Sequence, residues 1–212
     1  MENHDEQRLA NNQFAGDAWK GLPAMVVSAT IDQGPVMIYF GQEVGESGLG
    51  TEGFGGDDGR TTMFDYWGVP EHQKWVNKGT FDGGGLSMEQ KQLREFYGEL
   101  LRLSVTNKAI ANGEYADLTE FNLNQKNISD KVVAYLRYWG EERLLIVVSF
   151  QTKIESIKLT IPKEMVMRIG LSASAIYSGR DILGSGLDIG FDNEFSTVFE
   201  IPAFTGLVLK IK

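Results

Sequence analysis

The sequence contains no cysteine among its 212 residues. This absence excludes disulfide bonds and thiolate metal sites, and it leaves the cellular compartment open. Long hydrophobic runs are also missing, because the longest, such as residues 144–148, are far too short to span a bilayer. The N-terminus is polar and acidic where a secretory signal would be basic and then apolar, so no signal peptide is expected.

Positive charge is scarce as well. Twenty basic side chains face 29 acidic ones, which gives a net charge of −9 and a pI near 4.8. This balance argues against nucleic acid and anionic membranes as partners, whereas a neutral ligand such as a sugar is compatible with it. The acidic excess lies almost wholly in residues 1–106, with net charge −8 against −1 in residues 107–212, which indicates a domain boundary near residue 106.

The first half begins with signals for one helix and one strand. Residues 17–31 predict a helix that Asp17 caps, and a Gly-Pro pair then interrupts the pattern. Residues 36–40 are a continuous apolar run between turn residues. Such a run is typical of a strand buried on both faces of a parallel sheet.

A loop and a second helix follow. Residues 41–86 are rich in glycine and acidic side chains and are expected to form a long loop. Ser87 and Gln90 have the spacing of a capping box, and an amphipathic stripe continues from there to about Thr106. The first half therefore corresponds to about one and a half βα units.

The second half is rich in strand signals. Residues 131–139 and 143–150 predict a hairpin, because two β-rich runs flank a short glycine-containing turn. Four further strands are predicted: 154–161, 173–178, 195–201 and 206–211. Short strands at this spacing indicate an antiparallel β-sandwich over residues 107–212.

An Asn-His-Asp triplet, Asn3-His4-Asp5, precedes the first predicted helix and strand, and Gly41-Gln42-Glu43 follows them. This order resembles the end of the catalytic barrel in glycoside hydrolase family 13, the α-amylase-type enzymes. In that family the triplet closes the seventh barrel strand, and its Asp is one of three catalytic carboxylates. The alternative is a chance triplet in a solvated loop.

The resemblance implies a role for each residue of the triplet. Asp5 matches the carboxylate that binds sugar hydroxyls where the bond breaks and helps to distort that ring. His4 matches a residue that hydrogen-bonds the same sugar, and Asn3 belongs to the same substrate-binding motif. Since glycoside hydrolysis needs carboxylates around an oxocarbenium-like transition state, Asp5 is the predicted catalytic residue.

A second stretch, residues 60–75, resembles the loop after the eighth strand in one bacterial branch of the family. Tyr66 and Trp75 are candidate substrate contacts, because aromatic faces suit the apolar faces of pyranose rings. The alternative is that the aromatic residues anchor the loop on the barrel, which is the favoured interpretation for Trp67. Arg60 is interpreted as a structural ion-pair partner.

The acidic loop raises the question of calcium, since flexible, oxygen-rich loops can hold Ca²⁺. Glu46, Glu52, Asp57 and Asp58 lie among its glycines, but their spacing matches no EF-hand pattern. A solvated loop is the favoured interpretation. No metal or cofactor is predicted for this chain, although Ca²⁺ in a parent enzyme stays open.

Retaining glycosidases need a nucleophile and a general acid/base. In the resembling family both residues lie upstream of the triplet, and no stretch of this sequence offers either motif. A complete barrel also needs about 250 residues. We therefore expect the C-terminal part of an enzyme acting on α-1,4-glucans or maltooligosaccharides: an α/β barrel remnant at 1–106 and an all-β sandwich at 107–212, catalytically incomplete alone.

The competing interpretation is a non-catalytic β-sandwich module that binds glucan or has a structural role. The expected partners are an α-glucan and, across the exposed barrel face, either the missing barrel portion or a second copy. Hydrolysis, transglycosylation and isomerisation are not distinguished by the sequence, and neither is the preferred chain length.

Overall fold

The structure is a computed structural model that describes residues 2–50, 56–64, 69–172 and 174–212. Two compact units are present. The loop-rich unit comprises the residues up to Leu22 together with Pro35–Glu99, and the strand-rich unit comprises Pro23–Gly34 together with Leu100–Lys212. These units interleave in the sequence, and the division of the chain at residue 106 stays a prediction.

Helices account for the regular structure outside the sheets. After a short 3-10 turn at Ala18–Gly21, the helices are α1 Leu22–Thr30, α2 Pro70–Val76, α3 Met88–Thr106, α4 Lys108–Ala111, α5 Thr119–Asn124 and α6 Lys163–Arg168. No helix in the described part of the chain is both long and apolar enough to cross a membrane.

The predicted cap at Asp17 and the predicted capping box at Ser87 are confirmed, although the α-helix predicted from residue 17 begins only at Leu22. Asp17 accepts a hydrogen bond from the backbone N–H of Trp19 at 2.9 Å and so caps the 3-10 turn that leads into α1. At the start of α3, the Ser87 N–H donates to the Gln90 side chain at 3.0 Å, and the Gln90 N–H donates back to the Ser87 hydroxyl at 3.2 Å. These reciprocal bonds satisfy N–H groups that a helix start leaves without partners.

The predicted strand at residues 36–40 is wrong. The segment has no regular secondary structure, Met37 is 63% exposed, and only Tyr39 is buried. All strand pairs among the described residues are antiparallel. An apolar run becomes a strand only when neighbouring strands accept and donate its backbone hydrogen bonds, and the described residues supply none here. The barrel remnant therefore stays a prediction.

The loop predicted at residues 41–86 is only partly irregular. Helix α2 lies within it, with Pro70 at its first position and Asn77 ending it in a left-handed conformation. Proline is favoured there because the first helical N–H has no intrahelical acceptor. The proline is thus a helix-start signal that the sequence analysis missed.

The described residues of the strand-rich unit form eight strands: β1 Glu114–Asp117, β2 Val132–Trp139, β3 Glu142–Ser149, β4 Glu155–Thr160, β5 Ser178–Asp181, β6 Asp188–Gly190, β7 Ser196–Ile201 and β8 Thr205–Ile211. Six form one antiparallel sheet in the order β1-β2-β3-β8-β5-β6, and β4 pairs with β7 in a second. The predicted antiparallel sheets are confirmed, whereas the short helices α4, α5 and α6 in the same part of the chain were not predicted.

The predicted hairpin is confirmed, and the structure adds its register. Strands β2 and β3 pair from Val132↔Ser149 to Trp139↔Glu142, which leaves Gly140 and Glu141 as the connecting loop. Gly140 has a φ of +56°. Tight hairpin turns that match strand twist need such positive φ values, and glycine adopts them without steric penalty.

One predicted strand is displaced. Residues 174–177 form turns and irregular backbone, with Ile176 92% exposed, and the strand β5 begins only at Ser178; residue 173 lies outside the described residues. The short strands β1 and β6 were not predicted. Each has at most four residues, too few to show a clear alternation.

The core lies between the two sheets. Side chains of β3 and β8, including Leu145, Val147 and Leu209, form one buried cluster with Ile157 of β4 and Phe199 of β7. Leu144, Ile146 and Val148 alternate with these residues along β3 and are also fully buried. The central strand is thus covered on both faces, which explains its unbroken apolar run.

Helix α1 belongs to the strand-rich unit and lies close to β8. A Cβ atom added at Gly206 would lie 2.5 Å from Cγ2 of Val26, so this glycine permits the close approach. The Thr30 hydroxyl and the Tyr135 hydroxyl are hydrogen-bonded at 2.7 Å. Arg137 is buried and donates to the carbonyls of residues 31, 109, 110 and 113 at 2.6–3.1 Å.

Candidate functional site

The Asn-His-Asp triplet forms a turn held by the asparagine side chain. Oδ1 of Asn3 accepts hydrogen bonds from the backbone N–H of Asp5 at 2.7 Å and of Glu6 at 3.1 Å. Asparagine favours such turns because its carboxamide replaces a backbone acceptor. In this turn the side chains of His4 and Asp5 are 41% and 75% exposed. Both functional groups are therefore accessible to a ligand.

A buried ion pair anchors the turn. Nη1 of Arg8 lies 2.8 Å from Oε2 of Glu2, and both side chains are at most 2% exposed. The other oxygen of Glu2 accepts the N–H of Leu9 at 2.7 Å. Burial raises the pKa of the Glu2 carboxyl, and the Arg8 charge acts in the opposite direction. The pair encloses the triplet, so it fixes both ends of the turn.

Arg8 joins the turn to two distant segments. Its Nε donates to the Thr61 hydroxyl at 2.9 Å, and Nη2 donates to the carbonyl of Phe40 at 2.8 Å. The guanidinium also lies over the ring of Tyr39, 4.2 Å from its centroid, and the Tyr39 hydroxyl donates to the Thr61 carbonyl at 2.9 Å. Cation–π contact adds to the hydrogen bonds at a desolvated site.

Asn11 fixes the glycine-rich segment against the same region. Its side-chain nitrogen donates to the carbonyl of Ser47 at 2.8 Å, and the side chain is 1% exposed. Gly59 accepts the N–H of Arg8 at 2.8 Å and has a φ of +78°. A Cβ atom at this position would lie 2.7 Å from the Asn11 carboxamide carbon. Only glycine meets both conditions.

The acidic loop is not simply solvated. Glu46 is 1% exposed, and its carboxylate accepts the backbone N–H groups of Ser47, Gly48 and Glu71 at 2.9–3.1 Å. The expectation of a solvated side chain is wrong for this residue. A carboxylate with three backbone donors is satisfied without a cation, so its burial is structural.

Two other acidic residues of this loop, Asp57 and Asp58, have local partners. Asp57 accepts the N–H of Gly50 at 3.0 Å, and Asp58 pairs with Arg60 at 2.6 Å, which confirms the structural ion pair predicted for Arg60. Glu52 lies outside the described residues. Within the described ranges, no group of three or more histidine or acidic side chains converges to hold a metal ion.

The two predicted aromatic contacts have different outcomes. Tyr66, like Trp67, lies outside the described residues. Trp75 on α2 is partly buried; its ring lies 5.9 Å from that of His72 and 5.7 Å from that of Phe81, and the Arg94 guanidinium lies 4.9 Å from it. These contacts describe a packed residue. Stacking of Trp75 on a sugar stays a prediction.

The structure therefore brings Asn3, His4 and Asp5 together in one turn, with His4 Nε2 3.4 Å from Asp5 Oδ2. Trp75 has no described hydrogen bond or ring contact to them. The sequence analysis missed the anchor formed by Glu2 and Arg8. Glu2 and Arg8 are only six residues apart, but the other partners of Arg8 lie 32 and 53 residues away, and no local signal in the sequence indicates those contacts.

An exposed carboxylate beside an imidazole suits a hydroxyl-rich ligand. The carboxylate of Asp5 accepts hydrogen bonds from hydroxyl groups, and His4 both donates and accepts them. The Asn3 turn fixes the backbone that carries these groups before a ligand arrives, which lowers the entropy lost on binding.

Solved structures with similar folds are numerous, whereas no family model and no curated protein matches the sequence. AmyP in complex with maltose matches with a TM-score of 0.64 and 17% identity over 99% of this chain and 39% of that chain. The α-amylase of H. orenii matches with a TM-score of 0.59 and 20% identity over 100% of this chain and 39% of that chain.

An α-amylase from Geobacillus thermoleovorans, GTA, complexed with acarbose, matches with a TM-score of 0.60 and 16% identity, over 100% of this chain and 38% of that chain. At such identities the comparisons establish the fold, which is that of the C-terminal portion of family 13 α-amylases. The predicted resemblance is confirmed at this level. The chain spans less than two fifths of the length of the structures it matches.

Proposed function

We propose that this chain is the end of the catalytic barrel and the C-terminal β domain of an α-amylase-type glycoside hydrolase acting on α-1,4-glucans. Residues 1–106 are the barrel portion and residues 107–212 the β domain. The observation that carries the proposal is the triplet turn: Asn3 presents an accessible Asp5 carboxylate from a segment anchored by a buried ion pair.

Asp5 is the proposed transition-state-supporting carboxylate. As the sugar ring flattens toward an oxocarbenium ion, charged hydrogen bonds to its hydroxyl groups strengthen, and only interactions that strengthen in this way raise kcat. His4 is the proposed contact to the same sugar, and Asn3 holds the backbone of the turn that carries both residues. The proposed reaction is retaining, and the nucleophile and general acid come from outside these 212 residues.

The first test is activity of the purified chain. Because two of the three carboxylates are missing, it should release no reducing sugar from maltoheptaose. Turnover that Asp5→Asn abolishes would refute the catalytic incompleteness of the chain.

The second test places this chain behind the N-terminal portion of one of the matching α-amylases. In an active chimera, Asp5→Asn should lower kcat about a hundredfold and leave KM much less changed, because loss of a charged transition-state contact corresponds to about 3 kcal/mol. Glu6→Gln is the matched control, since Glu6 is the adjacent exposed carboxylate. The role of Asp5 is refuted if kcat stays within a few-fold of the parent chimera.

A further inference from the structure

The strand-rich unit carries an open cleft of about 610 Å³ at the end of the β2–β3 hairpin. Its charged lining consists of Arg143 in β3, Arg168 at the end of α6 and Glu114 in β1, and Trp139 adds apolar surface. The volume lies within the range typical of small-molecule sites. These residues belong neither to the triplet turn nor to its anchor, so the cleft is a separate candidate site.

Arg143 brings a positive charge to the cleft that its described partners do not neutralise. Nε donates to the carbonyl of Ile169, Nη1 to that of Glu141 at 3.0 Å and Nη2 to that of Gly170 at 3.4 Å. All three acceptors are backbone carbonyl groups, which orient a guanidinium but carry no net charge. The formal charge of Arg143 is therefore left for a ligand.

The same guanidinium also keeps donors for a ligand. A guanidinium has five N–H groups, and the three carbonyl bonds use one on each nitrogen. Within the described residues, one N–H on Nη1 and one on Nη2 remain. Two donors on one guanidinium suit two oxygens of a single carboxylate or phosphate group. Arg143 is thus a fixed, charged pair of donors on a residue that lines the cleft.

The other charged groups of the lining pair with each other. Oε2 of Glu114 accepts from the Tyr138 hydroxyl at 2.8 Å and from Nη2 of Arg168 at 2.7 Å. The bond from Arg168, followed by that from Tyr138, holds the pKa of Glu114 below its usual value, so the carboxylate is ionised at neutral pH. Both side chains of the ion pair are more than half exposed. Since exposed pairs contribute little to stability, an incoming anion can compete with Glu114 for Arg168.

The charges decide the class of ligand. Arg143 and Arg168 against Glu114 give the lining a net charge of +1, in a chain whose net charge is −9. The carboxylate of Glu142, which precedes Arg143 in β3, lies 3.9 Å from Nζ of Lys210, and successive strand residues point to opposite faces. A neutral ligand would leave the charge of Arg143 uncompensated, whereas an anion pairs with it.

We propose that this cleft binds a phosphate group, held by Arg143 and Arg168. Phosphate suits the cleft better than a carboxylate does, because three terminal oxygens can accept from both guanidinium groups at once. The cleft has room for more than phosphate alone, and Trp139 is half exposed within it. Such apolar surface suits the organic part of a phosphate monoester. The site uses none of the residues proposed for catalysis, so it stands without the proposed function.

The experiment is titration of the full chain at low salt, followed by backbone amide shifts in NMR and by calorimetry. The probes are sodium phosphate, glycerol 2-phosphate and, as the neutral counterpart, glycerol. Both phosphate probes should shift the amides of Gly140 and Gly170, glycerol should not, and added NaCl should weaken the binding because it screens the charges. Tighter binding of glycerol 2-phosphate than of phosphate would identify a monoester as the ligand, and weaker binding would identify free phosphate.

Two variants should change the affinity in opposite directions. Arg143→Gln should weaken phosphate binding about tenfold, because it removes the charge and the pair of donors. Glu114→Gln should strengthen it about threefold or more, because it removes a negative charge from the cleft and releases Arg168. Arg180→Gln is the matched control and should leave the affinity unchanged, since Arg180 is an exposed arginine of the same unit, 3.7 Å from Asp188.

Four results would overturn the proposal: no amide shift at the cleft up to about 10 mM phosphate, equal shifts with glycerol, Glu114→Gln binding phosphate no more tightly than the parent chain, or equal weakening by Arg180→Gln and Arg143→Gln. If Arg143→Gln lowers the thermal stability, the gain expected for Glu114→Gln and the shifts of the unmodified chain decide the matter. No part of this test depends on turnover, so failure of the proposed function would leave it unchanged.

Discussion

Replacing Arg8 by methionine is the sharpest test of how the candidate site is held. The guanidinium makes hydrogen bonds to Glu2, Thr61 and the carbonyl of Phe40, all at 2.8–2.9 Å, in a fully buried environment. Methionine keeps an apolar side chain of similar length beneath the Tyr39 ring, so the change removes charge and hydrogen bonds more than volume.

The expected loss is set mainly by the carboxylate left behind. Glu2 is 2% exposed and would retain only the N–H of Leu9 as a donor. Removing one partner of a buried ion pair costs about 3–5 kcal/mol. The double variant Glu2→Met/Arg8→Met should be less destabilised than Arg8→Met, because it leaves no unpaired charge.

Hydrogen exchange of the Leu9 amide reports this loss directly. A local destabilisation of about 3–4 kcal/mol should raise its exchange rate about a hundred- to a thousandfold. Arg60→Met is the matched control, because the Arg60 and Asp58 side chains are partly exposed, and solvent-exposed ion pairs contribute little to stability. Leu9 protection within fivefold of the parent, or a double variant less stable than the single one, would refute the reasoning.

Three further changes test the rest of the structure. Burial raises the pKa of Tyr97 to about 12, so the free energy of unfolding should not depend on this hydroxyl below about pH 10 and should fall as the pH rises from about 10 through about 12. Tyr97→Phe should reduce that fall, as measured by urea unfolding at several pH values. Gly206→Ala should lower stability by about 1–3 kcal/mol because the new Cβ would lie 2.5 Å from Val26, and adding Val26→Ala should restore part of the thermal stability. Arg137→Leu should cost at least about 3 kcal/mol by urea unfolding because it leaves four carbonyls without this donor, and Arg137→Lys should recover only part of it because lysine lacks the guanidinium fork.

Local signals predicted the elements that depend on local chemistry. The hairpin of β2 and β3 follows from two β-rich runs around Gly140, and the start of α3 follows from Ser87 and Gln90. In each case the residues that carry the signal make the decisive hydrogen bonds with one another or with their immediate neighbours. Sequence alone is sufficient for such features.

Apolar runs show where this reasoning fails. Residues 144–148 and 36–40 carry the same signature, yet only the first run is a strand. It has β2 on one side and β8 on the other, whereas the second has no strand neighbour among the described residues. The difference lies in long-range partners, which a hydrophobic pattern does not specify.

In the candidate site, too, the local sequence does not specify the long-range contacts. The sequence motif predicts Asn3, His4 and Asp5 as site residues, and the hydrogen bonds of their turn are local. Arg8 was missed because its role depends on Thr61 and on the backbone of Phe40, which only the fold brings near. A motif can therefore predict ligand contacts, while the residues that fix the backbone of the motif are seen only in the structure.

The fixed backbone of the triplet turn matters for the proposed mechanism. An exposed carboxylate on a freely moving segment would lose conformational entropy and reorganise as charge develops on the sugar, and both effects would cancel part of its stabilisation of the transition state. The Asn3 turn and the Glu2–Arg8 pair remove much of that freedom before a ligand binds. Loss of Arg8 should therefore weaken the contribution of Asp5 to kcat in the chimera, although Arg8 is buried and distinct from the predicted ligand contacts.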